Sequence, residues 1–194
     1  RSQLDHLRRA LLPGATFLEH RPYYEPASPD PAIFLTQGVW GHPAYDLGNC
    51  DYLLSFGSGL LERFWHWGET LRVYGEARSR GKCHLVQVES RRSVTGAKAD
   101  QWIPLRPDTE ATLALGLAHV IIRERLLDRE FVENQTAGFE DWEDADHTKH
   151  EGFRALVLKG FDPRTVSAVT GVPIDVLLQL ARSFATAGRA VALG

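Results

Sequence analysis

The sequence has no methionine and opens on Arg1, so an initiator is missing and the residues are expected to come from within a longer protein. The last six, Arg189-Ala190-Val191-Ala192-Leu193-Gly194, read as a strand that has just begun, and a strand needs a neighbour and usually a return connection. Both termini are expected to be cuts. Cysteine is almost as scarce. Cys50 and Cys83 are too few for a disulfide framework and lack Cys-x-x-Cys spacing, so no iron–sulfur or zinc site is encoded. No apolar run approaches the ~18 residues of a membrane span, and no signal peptide is visible. Neither sign of charge dominates: a formal net charge of −3 gives no basis for a nucleic-acid partner. Internal repeats and low-complexity tracts are absent too.

What is present is an ordinary globular balance, 43% hydrophobic and 24% charged over 194 residues, enough to bury a core without staples. Residues 3–12 have apolar positions at helical spacing, ended by Pro13-Gly14. Residues 13–32 read as an extended loop and 33–36 as a short strand; 38–49 carries turn signals and reads mostly as loop. The first strong strand is 51–56 (DYLLSF), stopped by Gly57-Ser58-Gly59. Residues 60–78 read as helix, with Phe64, Trp65, Trp67 and Tyr74 expected to pack. The second strong strand is 84–88 (HLVQV), stopped at Glu89. Residues 93–99 read as a short polar connection, and 100–105 (DQWIPL) as a proline-limited strand at an edge or bulge.

Residues 109–127 form a long helix with an apolar face of Leu113, Leu117, Val120 and Ile121, and Asp108 or Thr109 can cap it. Then come a short helix over 128–134, an acidic loop over 136–149 and a helix over 150–159. Asp162-Pro163 opens a further helix that Gly171 stops, and Pro173 opens another over 174–187. Strand–helix alternation points to an α/β fold, a mostly parallel Rossmann-like sheet with flanking helices. Residues 38–194 are read as that domain and 1–37 as a connecting segment.

Ligands of parallel α/β sheets bind beyond the carboxyl ends of the strands, near the switch point. Three such ends are identifiable. Gly57, Ser58 and Gly59 would let backbone approach a phosphate and would expose N–H groups at a helix start; the alternative is an ordinary turn. Glu89 can accept hydrogen bonds from ribose hydroxyls or guanine N–H groups; the alternative is a solvated charge, or a partner for Arg91 or Arg92. Pro107, Asp108, Thr109 and Glu110 open the long helix, where such residues often serve only as caps. His147 and His150 with Asp144, Asp146 and Glu151 have metal-ligand types but no secure helical period, and no metal site is assigned. Gly57-x-Gly59 lacks the third glycine of a dinucleotide fingerprint, because position 62 is Glu, and no P-loop is present. A nicotinamide-binding domain is disfavoured on that ground.

Several stretches together resemble one family. They are Tyr45-Asp46-Leu47; Cys50 through Gly57; Arg80-Gly81-Lys82 through Val88-Glu89-Ser90-Arg91; and Ala99-Asp100-Gln101-Trp102-Ile103-Pro104-Leu105-Arg106-Pro107. The likeness continues through Ala114 to Ile122, Asp128-Arg129-Glu130-Phe131-Val132, Thr170-Gly171-Val172-Pro173 and Leu180 to Ala185. In order and spacing they look like the molybdopterin oxidoreductases of the dimethyl sulfoxide reductase superfamily, nearest in tone to the polysulfide, thiosulfate and tetrathionate reductase branch.

The resemblance implies a domain that holds one molybdopterin guanine dinucleotide carrying molybdenum or tungsten. The loop of Gly57, Ser58 and Gly59 would approach the nucleotide. Glu89, Ser90 and Arg91 stand where the family has Asp-Pro-Arg, and Pro107, Asp108, Thr109 and Glu110 where it has Pro-Gly-Thr-Asp. Glu for Asp keeps the carboxylate but adds a methylene. Asp108 for Gly adds a side chain and a negative charge where backbone should be close to ligand.

The metal's protein ligand would lie upstream; Ser28 and Asp30 are only of the right type. A 4Fe-4S cluster is expected in an upstream part alone. By the same resemblance the partners are a small-molecule substrate and iron–sulfur and membrane-anchor subunits, and the whole enzyme is exported and membrane-associated. The chain by itself is expected to be inactive. The competing implication is a scaffold subunit of the same fold that has lost its cofactor.

Overall fold

The computed structural model describes residues 31–41, 43–64 and 67–194. The helix expected over 3–12, most of the following loop, Ser28, Asp30 and Trp65 lie outside them. The chain divides into two compact units, Arg1–Ala44 and Tyr45–Gly194. In the first, residues 33–36 are not a strand. They belong to helix α1 (Pro31–Gln37), in which the Thr36 hydroxyl donates to the Ala32 carbonyl. A short apolar run cannot be told from a strand by periodicity; proline at the first helical position was the better signal.

The second unit is built on a four-stranded parallel sheet of β1 (Tyr52–Phe56), β2 (His84–Glu89), β3 (Gln101–Pro104) and β6 (Ala190–Leu193), in the order β3-β2-β1-β6. The register pairs Tyr52 with His84 and with Ala190, and Val86 with Gln101. The expected parallel adjacency of β1 and β2 is present, and β3 is an edge strand, where Pro104 removes no needed ladder bond. Strand order reverses between β1 and β6. Alternating residues feed two cores. Tyr52, Leu54, Val86, Val88 and Ile103 pack with Leu113, Leu117, Val120, Val166 and Leu177 on one face. Leu53, Leu85 and Leu193 pack with Leu60, Tyr74 and Ala77 on the other. Apolar continuity of the strands therefore reflects cover on both faces. Each fully buried leucine contributes roughly 1.5–3 kcal/mol.

Helix α2 (Trp67–Ser79) covers the second face and begins later than residue 60. Residues 93–99 are not a plain connection: Val94–Lys98 forms the short helix α3, with the Ser93 side chain accepting the Gly96 N–H and with Thr95 and Gly96 buried. Five residues are too few for a periodic signal. The long helix, α4 (Glu110–Arg123), packs on the first face and ends before residue 127. Gly116 lets α7 (Pro163–Thr170) come close, since a Cβ there would lie 2.7 Å from Val166.

Between them lie α5 (Arg129–Gln135), a two-stranded hairpin of β4 (Trp142–Glu143) and β5 (Lys149–His150) where an acidic loop was expected, and α6 (Phe153–Gly160), which begins later than the expected residue 150 because His150 is taken up by the hairpin. Asp162 caps α7, Gly171 ends it at φ +79°, and α8 (Ile174–Thr186) returns the chain to β6. Among the described residues no single helix is long and apolar enough to cross a membrane.

Candidate functional site

Because the strands are parallel and adjacent, their carboxyl ends share one edge. Phe56 pairs with Val88, and Glu89 with Pro104. That register brings Gly57, Ser58 and Gly59, then Glu89, Ser90 and Arg91, and then the chain leading to Pro107, Asp108, Thr109 and Glu110 to the same end of the sheet. The first of these loops follows β1, at the reversal of strand order. Gly57 (φ +65°) and Gly59 (φ +62°) are both left-handed, conformations that other residues adopt only at a cost. The glycines do not open a helix, however. Glu62 and Arg63 donate their N–H groups to the Gly59 carbonyl in a turn, and α2 starts only at Trp67.

On the second face of the sheet the carboxyl ends of β1 and β2 are polar. Ser55 and Gln87, paired across β1 and β2, are fully buried, and Glu89 and Thr95 are buried beside them. The Ser55 and Ser58 hydroxyls are 2.7 Å apart. Glu89 does not stand free in solvent, and it is no partner for Arg91. One carboxylate oxygen accepts the Ser93 N–H at 2.6 Å and the other accepts the Gln87 side-chain amide at 3.0 Å. Gly96 makes room for it: a Cβ there would sit 2.3 Å from the Glu89 oxygen. Thr95 in turn accepts the Leu61 N–H at 3.0 Å, and Glu62 accepts the Val94 N–H at 3.1 Å. The start of α3 is thus tied on one side to the end of β2 and on the other to the loop after β1. Ser90 and Arg91 are exposed, as is Arg92, whose guanidinium lies 5.7 Å from the Trp102 ring centre. Gln87 Oε1 and Trp102 Nε1 are buried without a hydrogen-bond partner among the described residues.

At the third end, neither residue expected to cap α4 does so. Asp108 is exposed and left-handed at φ +61°. Thr109 occupies the cap position, but its hydroxyl donates to the Arg106 carbonyl and leaves the first N–H groups of α4 without a side-chain acceptor. The turn is held from behind by Arg106. Its backbone N–H donates to Thr170 O at 2.8 Å, and its guanidinium donates to the Ala168 and Val169 carbonyls at the end of α7.

Gln87, Thr95, Trp102 and Arg106, which tie the site together, had no site role assigned from the sequence, although Gln87, Trp102 and Arg106 lie within the stretches that carry the family likeness. One signal for them was legible: Ser55 and Gln87 interrupt two otherwise apolar strands near their carboxyl ends.

Other charged groups serve the opposite end of the sheet or the surface. Burial alone would push the Asp100 carboxyl up. The two hydrogen bonds from Arg78, with the Leu85 N–H, overcome this and hold it below the usual carboxylate range. The neighbouring Cys50 thiol and burial push the Cys83 thiol well above the ordinary range. In the hairpin, His147 pairs with Glu143 and His150 with Asp144, and among the described residues no three His, Cys, Asp or Glu side chains converge as a metal set. Two cavities of about 820 Å³ and 650 Å³ lie among the helices, around Arg123 at the far end of α4, and are lined by none of the strand-end residues. Size does not make them the candidate; strand ends at a topological switch point carry the stronger physical argument.

A parallel sheet wound in this order, with helices on both faces, belongs to the Rossmann-like α/β class. No protein-family model matches the chain. Among curated proteins it is 31% identical over 176 residues to dimethyl sulfoxide reductase of Escherichia coli (strain K12), covering 86% of the chain and 22% of that protein. It is 32% identical to the molybdopterin-containing subunit of thiosulfate reductase from Salmonella typhimurium, covering 75% of the chain and 17% of that protein. Among solved structures, acetylene hydratase from Pelobacter acetylenicus aligns with a TM-score of 0.61 at 32% identity, covering 75% of the chain and 18% of that protein. The chain spans about a fifth of the length of the curated relatives it matches. Its homologues are molybdopterin-containing proteins of the dimethyl sulfoxide reductase family.

Proposed function

We propose that residues 38–194 are the α/β domain that holds one guanine dinucleotide of a molybdopterin guanine dinucleotide cofactor, with molybdenum or tungsten, in the catalytic subunit of an oxidoreductase. Residues 1–37 are the connection to it. The observation that carries this reading is the gathering of all three strand ends at one sheet edge. There, left-handed Gly57 and Gly59 and the uncapped start of α4 offer backbone N–H groups, and Arg91 offers an exposed cation.

These groups fit a ligand with phosphates. The α4 terminus and Arg91 would hold the phosphates, Gly57, Ser58 and Gly59 would give the backbone close approach, and the turn of Pro107, Asp108, Thr109 and Glu110 would border the base or ribose. When bound, the cofactor supplies two-electron redox chemistry at its metal, with oxygen-atom or sulfur transfer. The residues of this chain bind and orient it. The 4Fe-4S cluster and the metal's protein ligand belong to other parts of the protein. A small-molecule substrate of the thiosulfate, polysulfide or tetrathionate kind, iron–sulfur and membrane-anchor partner subunits, and an exported, membrane-associated enzyme complete the proposal. The matched relatives are named both as reductases and as a hydratase, which supports a role in holding the cofactor and leaves the choice of reaction to other parts of the protein.

A second reading, a scaffold subunit without cofactor, is favoured by two observations. Asp108 and Glu110 put negative charge at the α4 terminus, and the Glu89 carboxylate is already engaged. Molybdenum, tungsten and guanine nucleotide analysis of the full-length protein decides between them. Near-stoichiometric metal and nucleotide is the expected result; their absence from protein made in a cofactor-competent host leaves the scaffold.

A further inference from the structure

We infer that Glu89 is a positioning residue: it does not touch the nucleotide but braces the loop after β1 through the start of α3. The inference rests on the cofactor reading above for the identity of the ligand, and on the hydrogen bonds alone for the brace.

Glu89 is only 8% exposed, and both of its oxygens are occupied, by the Ser93 N–H at 2.6 Å and by the Gln87 amide at 3.0 Å. A carboxylate that recognised guanine would have to present two acceptor oxygens to the ring's N–H groups. This one faces into the protein, over Gly96, where no side chain could stand between. Its pull is transmitted. Ser93 is the cap of α3, and its hydroxyl accepts the Gly96 N–H. Thr95, fully buried, accepts the Leu61 N–H, and Val94 donates to Glu62. The segment 57–62 is thereby held against the end of β2, although more than twenty residues of chain separate them. Arg91, beside the brace, is exposed and remains to meet the ligand.

The brace needs acceptors, not a charge, and this separates it from direct recognition. In Glu89→Gln the amide oxygen still accepts the Ser93 N–H. Gln87 can turn its own amide so that its oxygen, which has no partner among the described residues, accepts from the new N–H. In Glu89→Ala nothing replaces either bond. Thr95→Val keeps shape and removes the link to Leu61 alone.

The test uses the full-length protein and two readouts: guanine nucleotide retained per subunit, and amide exchange in peptides covering 57–63 and 90–97. Glu89→Ala is expected to speed exchange in both peptides by roughly ten- to a hundred-fold, the effect of a lost charge-assisted bond, and to shed nucleotide. Thr95→Val is expected to loosen 57–63 only. Glu89→Gln is expected to stay within about threefold of wild type in both readouts. Loss of nucleotide in Glu89→Gln with exchange unchanged would overturn the inference, since that is the signature of a direct ligand. Unchanged exchange at 57–63 in Glu89→Ala would overturn it too. Wild-type protein without guanine nucleotide would instead sink the cofactor reading, and the exchange arm would still judge the brace.

Discussion

Asp108→Gly should leave the protein at least as stable as wild type, although most substitutions destabilise. Asp108 sits at φ +61°, exposed, one residue before the cap position of α4. The left-handed region costs an L-residue roughly 1–2 kcal/mol, and aspartate somewhat less because it tolerates that region. Glycine removes this cost but gives back up to about 1 kcal/mol through the greater freedom of its unfolded chain. The net expectation is a gain of about 0–1 kcal/mol, or up to about 4 °C in Tm for a domain of this size. Asp108→Ala runs the other way. It keeps the Cβ penalty, loses the local hydrogen-bonding tolerance of aspartate, and should cost about 1 kcal/mol. Paired urea unfolding curves on the three proteins, with m-values compared, measure both. A glycine variant less stable than wild type by more than about 1 kcal/mol, or an alanine variant equal to it, would refute the left-handed assignment. In cofactor-loaded protein the glycine variant also removes a negative charge near the proposed phosphates, so nucleotide retention should hold or improve.

Three further perturbations probe the frame around the site. Gly96→Ala would place a Cβ 2.3 Å from the Glu89 oxygen and 3.0 Å from Trp102, so the carboxylate must leave its partners. The expected cost is about 1–2 kcal/mol after the helix-propensity gain, and it should shrink in a Glu89→Ala background, where only the Trp102 contact is left; an undiminished cost there would mean that the clash with the carboxylate is not its source. Arg106→Ala removes the donor to the Ala168 and Val169 carbonyls and should cost about 1–2 kcal/mol in chemical denaturation, while raising exchange at the α4 terminus; a neutral result would deny it a role in holding the turn. Asp100 is held below the usual carboxylate range, so its stabilising effect is present at neutral pH and is lost as pH falls through the folded value. The stability difference between wild type and Asp100→Asn should therefore shrink steadily once pH drops below about 4, and a difference that stayed constant to pH 2 would contradict it.

The relation of sequence to site is uneven, and particular residues show why. The apolar runs LLSF and HLVQV announced buried parallel strands, and Gly57 and Gly171 marked turns that are left-handed in the structure. Helix α3 was invisible because it is little more than one turn long and is tied in by a partner distant in sequence, Leu61 on Thr95, as well as by the strand end at Glu89. Glu89 was legible as a carboxylate at a strand end, but its direction was not. A strand end can send a side chain toward ligand or back under the next segment, and here a glycine seven residues later opened the inward course.

What the sequence determined by itself is the alternation of strands and helices, the two-sided burial of the strands, the punctuation by glycine and proline, and the likeness to one family. Each of these is written within a few residues, or in the order of motifs. The tertiary structure alone decided that β6 pairs with β1, that three distant segments meet at one sheet edge, and that Glu89 is spent on the Ser93 and Gln87 amides. It also left α4 uncapped, because the Thr109 hydroxyl turns to the Arg106 carbonyl. These features depend on which groups are brought within hydrogen-bond reach, and local propensity does not encode that.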